Sequence, residues 1–151
     1  GITLNEEEAI LSILKVSDQP GVAGKVFGQL AEAHINVDMI IQSVEENEIN
    51  NITFTVSEDD VTEAEKITRD IAESLGANGV RRLDSIAKIS IVGVGMISKP
   101  GVAAKMFEVL GENKINIHLI STSEIKVSCA IDKEKGKEAL ELLHKTFELD
   151  K

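Results

Sequence analysis

The spacing of apolar and polar residues changes period several times along the chain, and each change marks an element. In "AILSILKV", residues 9–16, apolar and polar positions alternate and β-formers dominate, which predicts a strand. Pro20-Gly21 opens a segment whose apolar positions Val22, Val26, Phe27, Leu30 and Ala31 recur at helical spacing. "INVDMIIQSV" predicts a second strand and "NITFTVS" a third. "EDDVTEAEKITRDIAESLG" predicts a helix, with acids in its first turn and Gly76 to close it. "NGVRRLD" fits a short fourth strand. The succession then restarts with "AKISIVGV", a helix from Gly101, "INIHLIST", "IKVSCAI", and a helix from about Lys133 to Phe147.

The restart is a duplication. At a constant offset of 80 residues, Pro20, Gly21, Val22, Ala23, Lys25, Phe27, Leu30, Glu32, Ile35, Asn36, Ile40 and Ser43 meet identical residues from Pro100 to Ser123, with no gap. Chance does not hold register that long, so the chain reads as a tandem repeat. Each copy runs strand-helix-strand-strand-helix-strand. This is the split βαβ, ferredoxin-like order: an antiparallel sheet with two helices on one face. The predicted class is α+β, two ferredoxin-like βαββαβ units in tandem, the first over residues 6–85 and the second over 86–151. The second copy ends at "HKTFELDK", directly after its last helix, and lacks a fourth strand. "GITLN" precedes the first strand as "VRRLD" precedes the strand at 88–94. Residues 1–5 are therefore expected to complete the second unit's sheet and clasp the two units; the alternative is a frayed terminus.

Composition narrows the partners. The chain has 151 residues, 42% hydrophobic and 28% charged, with four Phe and neither Tyr nor Trp, so the core must be aliphatic. A formal net charge of −10 argues against a nucleic-acid groove and against an anionic membrane surface. No apolar run approaches the ~20 residues of a spanning helix, and no signal peptide is visible. The single cysteine, Cys129, allows no internal disulfide, which fits a reducing cytoplasm. The chain opens at Gly1 without an initiator Met, as a tag remnant would, or a piece of a longer polypeptide.

The chemistry concentrates in the doubled turn, "SDQPG" in one copy and "ISKPG" in the other. Pro pre-sets the backbone for a helix start, and Gly21 and Gly101 leave the main chain open to a ligand. Unpaired helix amides and the helix dipole suit a carboxylate or phosphate. A plain helix cap, with Asp18 or Ser98 near the cap position, is the competing reading. Asp18 disfavours phosphate but suits a zwitterion: the amides take the carboxylate of an α-amino acid and Asp18 takes its ammonium group. Ser98, followed by Lys99, replaces Asp18 in the second copy, so the two turns are not equivalent.

Asn36 and Asn116 each open a second strand, either as turn residues ending the helix or as ligand contacts. Gln42, matched by Thr122, faces solvent, the other unit or a ligand. The three histidines, His34, His118 and His144, are scattered and pair with no metal partner, and Cys129 reads as a small buried side chain. No nucleophile-base-orienter set appears, "GVGMISKPG" lacks the spacing of a phosphate loop, and Phe54 is the sole strand aromatic for base stacking.

"VSDQPGVAGKVFGQLAEAHINVDMIIQS" followed by "GVGMISKPGVAAKMFEVLGENKINIHLISTSEIKVS" closely resembles the tandem ACT domains of bacterial aspartate kinases, over essentially the whole chain. The resemblance implies a regulatory part of that kinase, separate or fused, which is not itself an enzyme. It implies that threonine, and often lysine, bind at interfaces between ACT units, commonly across two chains of a homodimer, and shut down the kinase in lysine, threonine and methionine biosynthesis. Carried over by position, Asp18, Pro20, Gly21, Val22 and Ala23 contact the ligand, with Asn36, Val37, Asp38 and Gln42 beyond. Asn116 and Ile117 come from the facing second unit. Gln42 is the candidate partner of a threonine side chain. Ala103 and Ser123 look like positions sensitive to substitution, and with Ser98 and Gly101 they outline a possible second pocket. His118 stands where relatives often have an acid, and Ala103 where some have Thr. No cofactor or metal is implied.

Two readings compete with an amino-acid sensor. A small acylphosphatase-like hydrolase wants an Arg and an Asn around a phosphate loop, but Arg69, Arg81 and Arg82 lie outside both turns. A ligand-free dimerisation module would use the alternating apolar strands alone.

Overall fold

The computed structural model describes residues 1–17, 19–44, 49–93 and 101–148. In chain order the elements are β1 (Ile2–Ser17), α1 (Val22–Glu32), β2 (Val37–Val44), β3 (Ile49–Ser57), α2 (Val61–Ser74), β4 (Gly79–Val92), α3 (Val102–Glu112), β5 (Ile117–Thr122), β6 (Lys126–Asp132), and α4 (Gly136–Glu148) after a 3-10 turn at Lys133–Lys135. They form two compact units, Glu7–Asp84 and Ser85 onward together with Gly1–Glu6.

Four predicted strands are really two. "GITLN" and "AILSILKV" are one strand, β1, and "VRRLD" and "AKISIVGV" merge into β4. Neither β1 nor the interior of β4 contains Pro or Gly to break the ladder. Ser85, where β4 passes from one unit to the other, takes φ 59.

In the first unit the strand order is β2-β3-β1-β4. Ala9, Leu11 and Ile13 on β1 stand opposite Val56, Phe54 and Ile52 on β3, so the alternation of both strands faces one core. Onto that face α1 lays Val26 and Leu30, and α2 lays Val61, Ala64, Ile71 and Ala72. Phe27 and Phe54 meet edge to face, centroids 5.4 Å apart. β1 bulges between Ile13 and Val16. There Lys15 takes φ 53 and its N–H donates to Asn51 Oδ1 at 2.8 Å. The second copy carries Gly95 at the matching place in sequence.

In the second unit the order is β1-β4-β6-β5. Ala87, Ile89 and Ile91 of β4 and Val127, Cys129 and Ile131 of β6 form the core with Met106 and Leu110 of α3 and Ala139 and Leu143 of α4. Ile2 and Leu4 pack against it. The start of α4 comes down so closely that a Cβ on Gly136 would lie 3.3 Å from both Ala87 Cβ and Leu4 Cδ1. The Cys129 thiol is fully buried, 4.0 Å from Met106 Sδ. Desolvation pushes it up from its ordinary value of 9.0 to about 12.

Both first helices end the same way. His34 N–H donates to Ala31 O at 2.9 Å and Ile35 N–H to Leu30 O at 3.0 Å; Lys114 and Ile115 repeat this on Gly111 and Leu110 at 3.1 and 2.9 Å. These are Schellman closures, each sealed by an apolar pair, Ile35 with Leu30 and Ile115 with Leu110, inside the core. The left-handed residues are His34 (φ 62) and Lys114 (φ 59).

Left-handed backbone costs an L side chain free energy that glycine does not incur. His34→Gly and Lys114→Gly should each raise stability by roughly 0.5–1 kcal/mol, read as a higher urea midpoint at unchanged slope. For Cys129 the raised folded value means that above about pH 9 the unfolded chain loses the thiol proton while the native state keeps it. Stability should therefore fall as pH rises from 9 towards 12, and Cys129→Ala should flatten that alkaline limb in pH-dependent urea melts.

Candidate functional site

The two helix-opening glycines share one backbone conformation. Gly21, the N-cap of α1, has φ 94 and ψ −12; Gly101, the N-cap of α3, has φ 98 and ψ −5. Both lie in the left-handed region, so glycine is required by conformation and not by crowding: a Cβ on either would meet no heavy atom within 4 Å. Neither N-cap supplies a side-chain hydrogen bond to its helix. Val22 N–H reaches Gln19 O at 3.3 Å, and the helical ladder begins with Lys25 N–H on Gly21 O at 3.0 Å. The amides of Ala23 and Gly24 fall between those two, among the donors that a helix cannot pair for itself. With the positive end of the dipole they form a place for a carboxylate. Asp18 and Ser98, the residues that distinguish the two turns, lie outside the described residues.

Pro20, Gly21 and Ala23 are exposed, while Val22 packs partly against the core. Gln42 is exposed on β2, the edge strand, opposite Ile52. Ile52 belongs to the core under the helices, so Gln42 stands on the helix-covered side of the sheet. One rung further, Asn50 on β3 lies between Val16 of β1 and Val44 of β2. From Val16 the chain runs directly into the Pro-Gly turn. Gln42, Asn50 and the start of α1 thus share one end of the unit.

Asn36, Val37 and Asp38 stand at the other end of β2, where Val37 pairs with Val56. At the strand rise, Val37 is roughly 15 Å from Gln42. A single unit does not bring them beside Gly21. The helix ahead of them is closed by His34 and Ile35, so Asn36 is not the residue that ends it.

The second unit repeats the layout. Ala103 lies partly buried in the first turn of α3. Ser123, exposed just past β5, donates its N–H to Lys126 O at 2.8 Å. Asn116 is exposed ahead of β5, and Ile117 pairs with Ile131. His118 Nε2–H donates to Asp132 Oδ1 at 2.7 Å and ties the start of β5 to the end of β6.

The phosphatase reading gains nothing from the arginines. Arg82 grips Asp84 at 2.6 Å and Glu65 at 2.9 Å, and Arg69 grips the same Glu65 at 2.9 Å. Arg82 holds the carboxyls of Asp84 and Glu65 below their usual range. Glu65 sits in the first half of α2, which starts from the end of β3 opposite Asn50. Among the described residues no group of three His, Cys, Asp or Glu is arranged to hold a metal ion, and no helix is long and apolar enough to cross a membrane.

Comparison with known proteins agrees with the doubled fold. The ACT domain pattern matches residues 14–70 and 89–147, once per copy. The chain belongs to the ACT domain family. The aspartate kinase of Pseudomonas fluorescens is 48% identical over 150 residues, covering 99% of this chain and 36% of that protein. A crystal structure of aspartokinase alpha and beta subunits matches with TM-score 0.90 at 42% identity, over 98% of this chain and 97% of the other. The ligand-free regulatory subunit of aspartate kinase from Thermus thermophilus matches with TM-score 0.89 at 39% identity, over 97% of each chain. The ACT pair is thus a regulatory module of the aspartate kinase group, and it spans about 36% of the length of the full-length relative it matches.

Two glycines three positions apart test the turn of this ACT pair. Gly21→Ala should lower stability by roughly 1 kcal/mol, because φ 94 strains the new side chain. Gly24→Ala, inside α1 with open space around it, should raise stability by roughly 0.5–1 kcal/mol. Denaturant midpoints with opposite signs are the expected result.

Proposed function

We propose that this ACT pair senses a feedback amino acid, threonine and in some settings lysine, and passes its concentration to an aspartate kinase catalytic domain or subunit. The observation that carries the reading is the Pro-Gly turn: a left-handed glycine cap and first-turn amides without a side-chain cap. These suit the ligand carboxylate, and Asp18 supplies the counter-charge for its ammonium. Gln42 takes the side-chain hydroxyl. Asn116 and Ile117 of a partner chain form the far wall. Asn36, Val37 and Asp38, carried over by position to the first site, are not beside Gly21 within one unit, so we assign them instead the equivalent wall of the second pocket, around Ser98, Gly101, Ala103 and Ser123. A wall drawn from another chain fits the roughly 15 Å between Val37 and Gln42 within one unit. The ACT pairs dimerise, and a ligand that favours the docked state shifts the population towards it by its differential affinity. The site is cytoplasmic and needs no cofactor, and the ACT pair performs no catalysis. Through the kinase it limits lysine, threonine and methionine synthesis.

A ligand-free dimerisation module is the second reading, favoured by Ile40 and Ile120, matched positions on the edge strands β2 and β5 that are 53% and 44% exposed.

Calorimetry of the ACT pair should show heat with threonine or lysine, and Asp18→Ala should weaken it at least about tenfold by removing a charge-assisted contact. Flat titrations for both amino acids, with the dimer intact by sedimentation and indifferent to them, would favour the scaffold.

A further inference from the structure

Asn50 is 1% exposed, and its Oδ1 is buried without a hydrogen-bond partner among the described residues. A buried carbonyl oxygen lacking a donor is unfavourable, and native structures rarely keep one without a use. Its position is specific. Even-numbered residues of β3, Ile52, Phe54 and Val56, face the helices, and Asn50 continues that row. It shares a rung with Val16, at the mouth of the Pro-Gly turn, and is the diagonal neighbour of Gln42, which pairs with Ile52. Donors for a carboxylate lie at the start of α1. Asn50 adds the opposite capability, an acceptor held out of water at the same end of the sheet.

We propose that Asn50 Oδ1 is a specificity-determining contact of the first site: it accepts a hydrogen bond from the bound amino acid, from the ammonium group or from a side-chain hydroxyl. The inference rests on the amino-acid reading above and names a residue for its selectivity. A site with a buried acceptor strongly rejects an analogue that lacks the matching donor, since the acceptor then stays unpaired. The second unit has no such group at the matching place. Val127, opposite Thr122, corresponds to Ile52 opposite Gln42, and two residues before it stands Ile125, exposed and apolar. The two turns therefore differ in ligand chemistry beyond the exchange of Asp18 for Ser98.

The test is calorimetry and thermal melting of the 151-residue chain, wild type against Asn50→Leu, with L-threonine and L-2-aminobutyrate, the same skeleton without the hydroxyl. Without ligand, Asn50→Leu should melt no lower than wild type, because an orphan oxygen has been replaced by an apolar group of similar size. Its affinity for threonine should fall at least about tenfold. Equal losses for both ligands assign the bond to the ammonium; a loss confined to threonine assigns it to the hydroxyl. Asn50→Ser, which stays polar but withdraws the oxygen, should lose affinity likewise and serves if the Leu variant does not fold. Wild-type affinity in the variants, or a lower melting point with affinity unchanged, overturns this inference and leaves the sensor reading standing. A wild-type chain that binds no amino acid overturns the sensor reading, and this inference with it.

Discussion

An open sheet edge is the constraint from which the rest of the second unit follows. Unpaired N–H and C=O groups along a strand must find partners, water or cover. On one side β4 is paired by β6, from Ile86 opposite Asp132 to Val92 opposite Lys126. Its other side is met by residues from the far end of the chain: the Gly1 ammonium donates to Val92 O at 2.6 Å, and Val92 N–H returns to Gly1 O at 2.8 Å. Pairing over such a sequence separation draws Ile2 and Leu4 into the core, and the close seat of Gly136 above Leu4 and Ala87 depends on it. β1 and β4 reach 16 and 14 residues, far beyond a typical strand of 5–6, because each serves both units.

Those long strands deliver the chain to the Pro-Gly turns. Once β1 has bulged at Lys15 and paired Val16 with Asn50 and Ser17 with Ile49, it turns into α1 through a backbone only glycine adopts without strain. The second copy reproduces this geometry within a few degrees. Duplication has conserved the glycine N-cap and the Schellman-closed helix after it, while the sequence ahead of the glycine diverged from "SDQ" to "ISK". The proposed amino-acid site, with main-chain amides as donors, would tolerate that divergence, since the amides stay while the polar and charged neighbours change.

The α+β class, the doubled unit and the ACT resemblance were legible because they rest on local signals: period-2 alternation in "AILSILKV", helical spacing from Val22 to Leu30, and the same residues at a constant offset. Strand continuity was less legible. Residues 6–8, all Glu, carry no apolar alternation to join "GITLN" to "AILSILKV", yet they extend β1, and Glu8 is buried opposite Ser57. Of the two readings of Asn36, helix-ending turn residue or ligand contact, the first does not hold: the Schellman closure falls two residues earlier, on His34. The apolar seal between Leu30 and Ile35 decided the position, and the intrinsic preference of His34 did not.

Sequence alone determined the two folding units, their element types and the glycines at their helix starts, because each depends on residues within a few positions of one another. Only the tertiary structure decided which polar groups are buried together. "NEINNIT" carries no sign that Asn50 is enclosed while Asn51 bonds the bulge at Lys15. That outcome depends on the register of β3 against β1 and β2 at once, and a slip of one residue would send Asn50 to the other face. Likewise Gln42 and Asn36, six positions apart on one segment, lie at opposite ends of the unit because an extended strand separates them.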